Sequence, residues 1–415
     1  MKYFTKILFH FANDSLYRNS IYLMLSTAVM SFFGFFFWII NARFYSIEQV
    51  GIATTLISVV TLISSFSMLG LNSGIIRYLP TSERKNQIIN TSFTLVTLAS
   101  ALMASTYLIL INIFSPKLLF VRENIFFALL FVSFIIFNSL NILSENVFIA
   151  YRSSKYVLIK NAVSSLVKLA LPIFLISLGT YGIFASVGIA TVVALVLSII
   201  FLIAKFSYLI RPVISRDVVN RMTKFSFGNY IAGLIGVLPA SILPIMILNN
   251  LGAKFSAFFY IDMMIVNLLY VIPAAVAQSL FAEGSSSQIL LNTEIKKAIK
   301  LISIILFPAS IIIIIFGNNI LLFFGKSFSV EGFRFLQIMT LSLIIGTVNY
   351  ICSAILRIKN KNKEIILASI INASLTLGIG YLLISYGLIG IAVGWITGEI
   401  VIAVYYIIII LHSKL

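Results

Sequence analysis

Twelve long apolar runs, separated by short polar breaks, constrain this chain more than any other feature of its sequence. They fall at about residues 20–42, 48–70, 88–114, 124–150, 156–178, 181–204, 225–248, 256–281, 298–316, 333–356, 364–385 and 387–411. A helix that crosses a bilayer needs about 20 mostly apolar residues. Hydrophobic residues make up 60% of the chain. We therefore predict an all-α integral membrane protein of about twelve transmembrane helices, and this composition excludes a soluble enzyme.

The basic residues are distributed unevenly between alternate loops. The chain carries 29 Lys and Arg against 12 Asp and Glu, a net charge of +17. In a soluble protein this excess would indicate a nucleic-acid partner, but in a membrane protein Lys and Arg collect in cytoplasmic loops. Most of them, including Lys155 and Lys160, fall on the side that also holds both termini. We expect a cell (inner) membrane protein with cytoplasmic termini and no nucleic-acid partner.

Polar segments suggest how the chain is divided. Residues 1–19 are too polar to span, but their apolar and basic side chains lie on different helical faces, which predicts an interfacial helix. A basic cytoplasmic linker is predicted at 205–224, with six spans on each side. We therefore predict six-helix bundles at 20–204 and 225–415, related by pseudo-two-fold symmetry with the pathway between them.

Groups that usually carry catalysis are sparse. The two histidines, His10 and His412, lie at opposite ends of the chain, and the single cysteine, Cys352, lies in an apolar run. A zinc site needs such ligands in a cluster. Residues 325–327 read GKS like the end of a P-loop, but Ile320 occupies the position of its first glycine. We predict no catalytic residue, no metal site and no cofactor.

Four charged residues fall inside the apolar runs, where a charge costs at least about 2.5 kcal/mol. They are Glu145, Lys168, Asp262 and Glu399. Asn138 and Asn141 precede Glu145 at offsets that place all three on one helical stripe. Such groups could line a polar pathway or a coupling site, or they could be structural.

The structural alternatives differ between these charges. Glu145 and Lys168, on consecutive spans, could neutralise each other as a buried pair. Asp262 lies a turn or two from the predicted outer interface and could reach water. Glu399 has no partner within its own helix, which favours a functional role.

Two motifs resemble those of a known family. Residues 69–78 read LGLNSGIIRY at the end of the second span, while residues 41–45 read NARFY and residues 48–51 read EQVG. Both resemble passages of the polysaccharide-repeat-unit flippases, the O-antigen or Wzx-type family of the multidrug/oligosaccharidyl-lipid/polysaccharide exporter superfamily. The twelve-span pattern resembles that family over the whole chain.

The resemblance implies alternating-access movement of a polyprenyl-diphosphate-linked oligosaccharide, such as an O-antigen unit of lipopolysaccharide, from the inner to the outer leaflet. It also implies membrane lipid, a polysaccharide polymerase and glycosyltransferases as partners. Cations suited to the diphosphate are Arg77, Lys168, Arg43 and Arg18. Candidates for the polar cavity or for coupling are Glu145, Asn138, Asn141, Asp262 and Glu399.

Two other functions remain open. A multidrug or organic-cation antiporter of the same superfamily would favour acidic groups concentrated in one half, whereas here they are dispersed over spans 4, 8 and 12. A polysaccharide polymerase or membrane glycosyltransferase would need charges on a sizeable outer loop. The longest predicted outer segment, 317–332, carries only Lys326 and Glu331.

Overall fold

The computed structural model of the chain describes residues 15–286 and 291–412. Most of these residues lie in long α-helices, and none of them forms a β-strand. The long helices are α1 (Ser15–Phe44), α2 (Ile47–Ser67), α3 (Lys85–Ile109), α4 (Ile125–Ala150), α5 (Lys155–Phe174), α6 (Thr180–Phe206), α7 (Arg216–Asn250), α8 (Ala253–Ser286), α9 (Leu291–Leu322), α10 (Phe333–Ile358), α11 (Asn362–Leu382) and α12 (Leu388–His412). All 12 contain a stretch long and apolar enough to cross a membrane. The predicted all-α class and number of spans are therefore confirmed.

The apolar runs become helices because hydrocarbon offers no hydrogen-bond partner to the backbone, and a helix satisfies its own N–H and C=O groups. Some helices extend beyond their apolar runs. For example, α7 begins at Arg216 rather than near residue 225. Two shorter segments matter for the site. A short helix, Leu71–Tyr78, follows α2, and a π-helical turn, Phe328–Gly332, leads into α10.

Contacts divide the chain into two compact units. Among the described residues, unit 1 contains 15–45 and 56–237, and unit 2 contains 46–55, 238–286 and 291–412. Helices α2 and α7 therefore each contribute to both units. The predicted linker, 205–224, belongs to unit 1, and the boundaries proposed for two six-helix bundles stay predictions. The sequence predicts an interfacial helix at 1–19. Residues 1–14 of this segment lie outside the described residues, and residues 15–19 form the start of α1.

The motif at 69–78 is anchored in the core of unit 1. Leu71 and Ile75 of the short helix are buried in a cluster with side chains of α3, α4 and α7. Gly74 faces Met222 of α7, and a methyl group at this glycine would lie 2.7 Å from Met222 Cε. A side chain at this position would displace Met222, so glycine favours close packing of the short helix against α7.

Residues 48–51, the second part of the other motif, pack within unit 2. Gly51 of α2 lies against the start of α8, where an added methyl group would overlap the backbone carbonyl of Ala253. Beside this contact, the hydroxyls of Thr55 and Ser256 lie 2.8 Å apart. Glycine at this position thus allows the two helices to approach closely, as small residues do at membrane helix interfaces.

Candidate functional site

An ion pair between α4 and α5 lies at the centre of the polar residues of unit 1. Lys160 Nζ lies 3.0 Å from Glu145 Oε1, and the lysine side chain is 0% exposed whereas that of Glu145 is 29% exposed. Lys160 also donates hydrogen bonds to Asn141 Oδ1 at 2.5 Å and to the Asn141 backbone carbonyl at 3.3 Å. The ammonium group is thus surrounded by acceptors, as a buried charge requires.

This pair corrects two expectations from the sequence. Glu145 pairs with Lys160 rather than with Lys168, and Lys160 is a buried residue of α5 rather than a loop residue. Its closeness in sequence to Lys155, at the exposed start of α5, obscured its location. The signal that could have identified it is the amide of Asn161 beside it, because both polar residues lie within the apolar run 156–178.

Amide and hydroxyl side chains extend the polar contacts around α4 and α5. Asn138 donates to Ser64 Oγ of α2 at 3.0 Å, and Asn161 donates to Ser26 Oγ of α1 at 3.0 Å. Ser144 of α4 also donates to a serine hydroxyl of α6 at 3.1 Å. Asn138, Asn141 and Glu145 therefore all contact polar groups of neighbouring helices, and together they form one polar surface in unit 1.

Lys168 contacts an aromatic ring instead of a carboxylate. Its ammonium lies 5.1 Å from the centroid of the Phe37 ring of α1, within the range of a cation–π interaction. Phe37 is buried and Lys168 is half-buried. A cation is thus held between α1 and α5 at a depth well inside both helices.

The three arginines that the sequence suggests for binding a diphosphate are all exposed. Arg77 lies on the short motif helix, where its guanidinium is 5.8 Å from the centroid of the Tyr78 ring. Arg18 and Arg43 lie near opposite ends of α1, about 37 Å apart at the usual helical rise. One diphosphate therefore cannot contact Arg18 and Arg43 at the same time.

Asp262 of α8 is the most deeply buried acidic residue among the described residues of unit 2. Its side chain is 0% exposed, and neither carboxylate oxygen has a hydrogen-bond partner within the described ranges. It lies against Gly332, the last residue of the π-helical turn, where an added methyl group would be 2.9 Å from Asp262 Oδ2. Of the two alternatives that the sequence left open for Asp262, the structure contradicts the one in which its side chain reaches water at the interface.

Glu399 of α12 is paired with an amide of another helix. Asn349 Nδ2 of α10 donates to Glu399 Oε2 at 2.5 Å and to the Glu399 backbone carbonyl at 3.0 Å. The sequence reasoning missed Asn349, although an amide within the apolar run of span 10 was a usable signal. The Asn349 carbonyl oxygen is buried and has no partner in the part of the chain that the structure describes.

A polar connection before α7 is held against α3 by several side chains, and the Asn90 amide makes three of these hydrogen bonds. Asn90 donates to the Leu209 carbonyl at 2.8 Å, while its Oδ1 accepts from Tyr208 Oη at 2.7 Å and from the Arg211 amide at 3.1 Å. Burial raises the pKa of Tyr208 to about 12, because the charged phenolate is disfavoured away from water. This part of the predicted linker is thus fixed in place by α3.

Within the described ranges, no three His, Cys, Asp or Glu side chains are grouped closely enough to hold a metal ion. Residues 325–327 lie in the turn between α9 and the π-helical segment. The polar residues inside the spans therefore form ion-pair, amide and hydroxyl surfaces. Membrane-length helices define the class of polytopic membrane proteins, and polar groups inside the spans mark candidate functional sites.

The fold is similar to those of solved membrane transport proteins. One is the lipid II flippase MurJ in an inward closed conformation, with a TM-score of 0.74 and 15% identity over 94% of this chain and 87% of that chain. Another is an inward-facing MATE multidrug resistance transporter of the MOP superfamily, with a TM-score of 0.71 and 16% identity over 93% of this chain and 96% of that chain. An outward-facing MATE transporter gives a TM-score of 0.63 with 15% identity, over 94% of this chain and 93% of that chain.

Sequence comparison places the chain in a family. Residues 16–281 match the family described as "Polysaccharide biosynthesis protein", and the chain belongs to this family. No curated protein matches the sequence. The chain is thus a multi-pass membrane protein of a polysaccharide biosynthesis family, and its fold is similar to those of a lipid II flippase and of multidrug transporters.

Proposed function

We propose that this chain moves polyprenyl-diphosphate-linked oligosaccharide repeat units, such as O-antigen units of lipopolysaccharide, from the inner to the outer leaflet by alternating access. The observation that carries the proposal is the polar surface around Glu145, Lys160 and Asn141, in which a membrane-embedded carboxylate keeps 29% of its side chain exposed. The family match and the fold shared with a lipid II flippase support it.

The physical requirement for a flippase is a polar path through hydrocarbon. An unpaired hydroxyl taken into an apolar medium costs several kcal/mol, so a sugar headgroup needs acceptors and donors along its way. Asn138, Asn141 and Glu145 offer such groups. The polyprenyl chain has no such need, because it is as apolar as the lipid itself.

The candidate cations suggest a route for the diphosphate. We place both termini in the cytoplasm of the cell membrane, because basic residues collect on that side. Arg18 and Arg77 then lie at the inner side, Lys168 lies within the membrane and Arg43 lies at the outer side. In this proposal they contact the diphosphate in succession, since the length of α1 prevents joint binding by Arg18 and Arg43.

The membrane potential could drive this movement. Two negative charges that cross an inside-negative membrane outward gain about 4.6 kcal/mol per 100 mV. Glu145, Asp262 and Glu399 are candidates for proton coupling that returns the protein to its inward-facing state. Glycosyltransferases that build the oligosaccharide and a polymerase that consumes it are the partners expected on the two sides.

The test is a flipping assay with purified protein in proteoliposomes. A fluorescent polyprenyl-diphosphate oligosaccharide is supplied in one leaflet, and a membrane-impermeant quencher reports its arrival in the other. We expect flipping above that of protein-free vesicles, increased by an applied potential that favours anion movement in that direction. Equal rates with and without the protein would refute the proposal.

A second candidate, an organic-cation antiporter, is favoured by Asp262. A buried carboxylate without a hydrogen-bond donor attracts a cation, and the fold is also that of MATE multidrug transporters. Binding measurements on the purified protein separate the two functions. Tight binding of a cationic dye, lost in Asp262→Asn, with no binding of the diphospholipid would establish the antiporter.

A further inference from the structure

An apolar groove runs along unit 2 between α9, α10 and α12. It has a volume of about 780 Å³, within the usual range of roughly 300–1,000 Å³ for ligand cavities. Its walls include Ile299 and Phe307 of α9, Ile344 and Ile355 of α10, and Ile407 of α12. The groove differs from the polar surfaces described above, because almost every lining side chain is apolar.

Two of the four hydroxyl side chains that line the groove are satisfied by their own helix. The hydroxyls of Thr340 and Thr347 donate to backbone carbonyls of the preceding helical turn at 2.7 Å and 2.8 Å. These hydroxyls therefore present little hydrogen-bonding demand to a ligand. The surface suits a hydrocarbon chain and not a sugar.

The groove is as long as the hydrocarbon core is thick. Its lining extends along α9 from Ile295 to Ile314, about 28 Å at the usual helical rise. The hydrocarbon core of a bilayer measures about 30 Å, so each acyl chain of a phospholipid reaches only about half of this depth. A single longer chain matches the whole groove better than a phospholipid does.

Two exposed lysines lie at the end of the groove near the start of α9. Lys296 precedes the lining residues Ile299 and Ser303 on one helical stripe, and Lys300 precedes Ile304 on another. Side chains of a helix lean toward its N-terminus, so both ammonium groups lie toward the Ile295 end of the groove. The groove therefore combines a long apolar channel with positive charge at one end.

We propose that this groove binds the polyprenyl chain of the lipid-linked substrate, with Lys296 and Lys300 near the diphosphate before transport. The inference rests on the proposed flippase function and adds a site for the lipid portion. The polyprenyl chain is longer than an acyl tail and therefore matches the apolar channel. The diphosphate is negatively charged and therefore matches the two lysines. A bound tail would keep the substrate at the protein while its headgroup enters the polar path.

The test is photo-crosslinking in nanodiscs that contain phosphatidylglycerol. The probe is polyprenyl diphosphate with a diazirine near the far end of the polyprenyl chain, and adducts are mapped by mass spectrometry. We expect adducts on residues that line the outer part of the groove, near Ile314 of α9 or Ile344 of α10. Unlabelled polyprenyl diphosphate should remove them, and added phosphatidylglycerol should not.

Blocking the groove provides a variant with a matched control. Ser303→Trp places a ring inside the groove, whereas Ile305→Trp places one on the exposed surface of the same helix outside it. We expect about tenfold less adduct with Ser303→Trp, because the indole ring occupies space that the polyprenyl chain would fill, and tenfold in affinity corresponds to about 1.4 kcal/mol. Ile305→Trp should label like the wild type.

The inference and the proposed function fail in different ways. Adducts that map outside the groove, or equal competition by phosphatidylglycerol, would overturn the groove assignment even if wild-type protein flips the substrate. If wild-type protein fails to flip, the function is refuted whatever the adduct positions. The wild-type adduct map decides the inference even if Ser303→Trp does not fold.

Discussion

The Lys160 ammonium, which has no exposed surface, lies 3.0 Å from the partly exposed carboxylate of Glu145. The two partners are therefore unequal. Removing the carboxylate leaves a buried cation without a countercharge, whereas removing the lysine leaves an anion that retains access to a polar space. This asymmetry leads to a specific expectation for stability.

Glu145→Leu should destabilise the protein strongly, by about 3–5 kcal/mol, since an uncompensated buried charge costs that much. Lys160→Met should cost less. The double variant Glu145→Leu/Lys160→Met should recover much of the loss, because no buried charge remains. Thermal unfolding of the three purified variants gives the coupling energy, and a double variant less stable than Glu145→Leu would contradict the pairing.

Lys168 and Lys155 offer a matched comparison on α5. Both ammonium groups lie near an aromatic ring, Lys155 5.0 Å from the Tyr156 centroid and Lys168 5.1 Å from the Phe37 centroid. We expect Lys168→Gln to slow flipping about tenfold or more, because one charge-assisted phosphate contact is worth about 1.5–3 kcal/mol. Lys155→Gln, at the start of the helix, should flip at the wild-type rate. Equal rates for the two variants in the vesicle assay would exclude Lys168 from the path.

The variant Glu399→Gln distinguishes a structural role of Glu399 from a role in coupling transport to protons. The glutamine can still accept the hydrogen bond from Asn349, so expression and thermal stability should match the wild type. It cannot bind and release a proton, so stimulation by an imposed pH gradient should be lost. Flipping rates with and without the gradient provide the measurement. A fully retained response would remove Glu399 from the mechanism.

Asn90 controls the connection before α7. Asn90→Ala removes three hydrogen bonds to residues 208–211, worth about 0.5–1.5 kcal/mol each. We expect amide hydrogen exchange in this connection to rise by about tenfold or more, while the core of α3 stays protected. Asn86→Ala is the control, because its contacts with the same connection are longer, at 3.3 Å and 3.4 Å. Unchanged exchange in Asn90→Ala would show that other contacts hold the connection.

The two motifs were identifiable from the sequence, but the reason for their glycines was not. Gly51 and Gly74 stand next to Ala253 and Met222, far away in the chain. A motif states which residue type is present at a position. Only the packed helices reveal the neighbour that requires the absence of a side chain there.

The charged residues within the spans also show what the sequence reveals and what only the packed helices reveal. The sequence located Glu145, Asp262 and Glu399 inside apolar runs, yet it did not identify Lys160 as the partner of Glu145 or decide whether Asp262 reaches water. The rotation of each helix about its axis decides which neighbour a side chain meets. Apolar runs carry little information about this rotation, because almost every face of them is hydrophobic.

The sequence by itself determined the class of protein and the number of spans. Each apolar run must satisfy its backbone hydrogen bonds within itself in lipid, which is a local property of about 20 residues. Tertiary structure decided the partners of Lys160 and Glu399 and the burial of Asp262. These depend on contacts between helices that are distant in the chain, and packing selects one set among the many that the hydrophobic pattern allows.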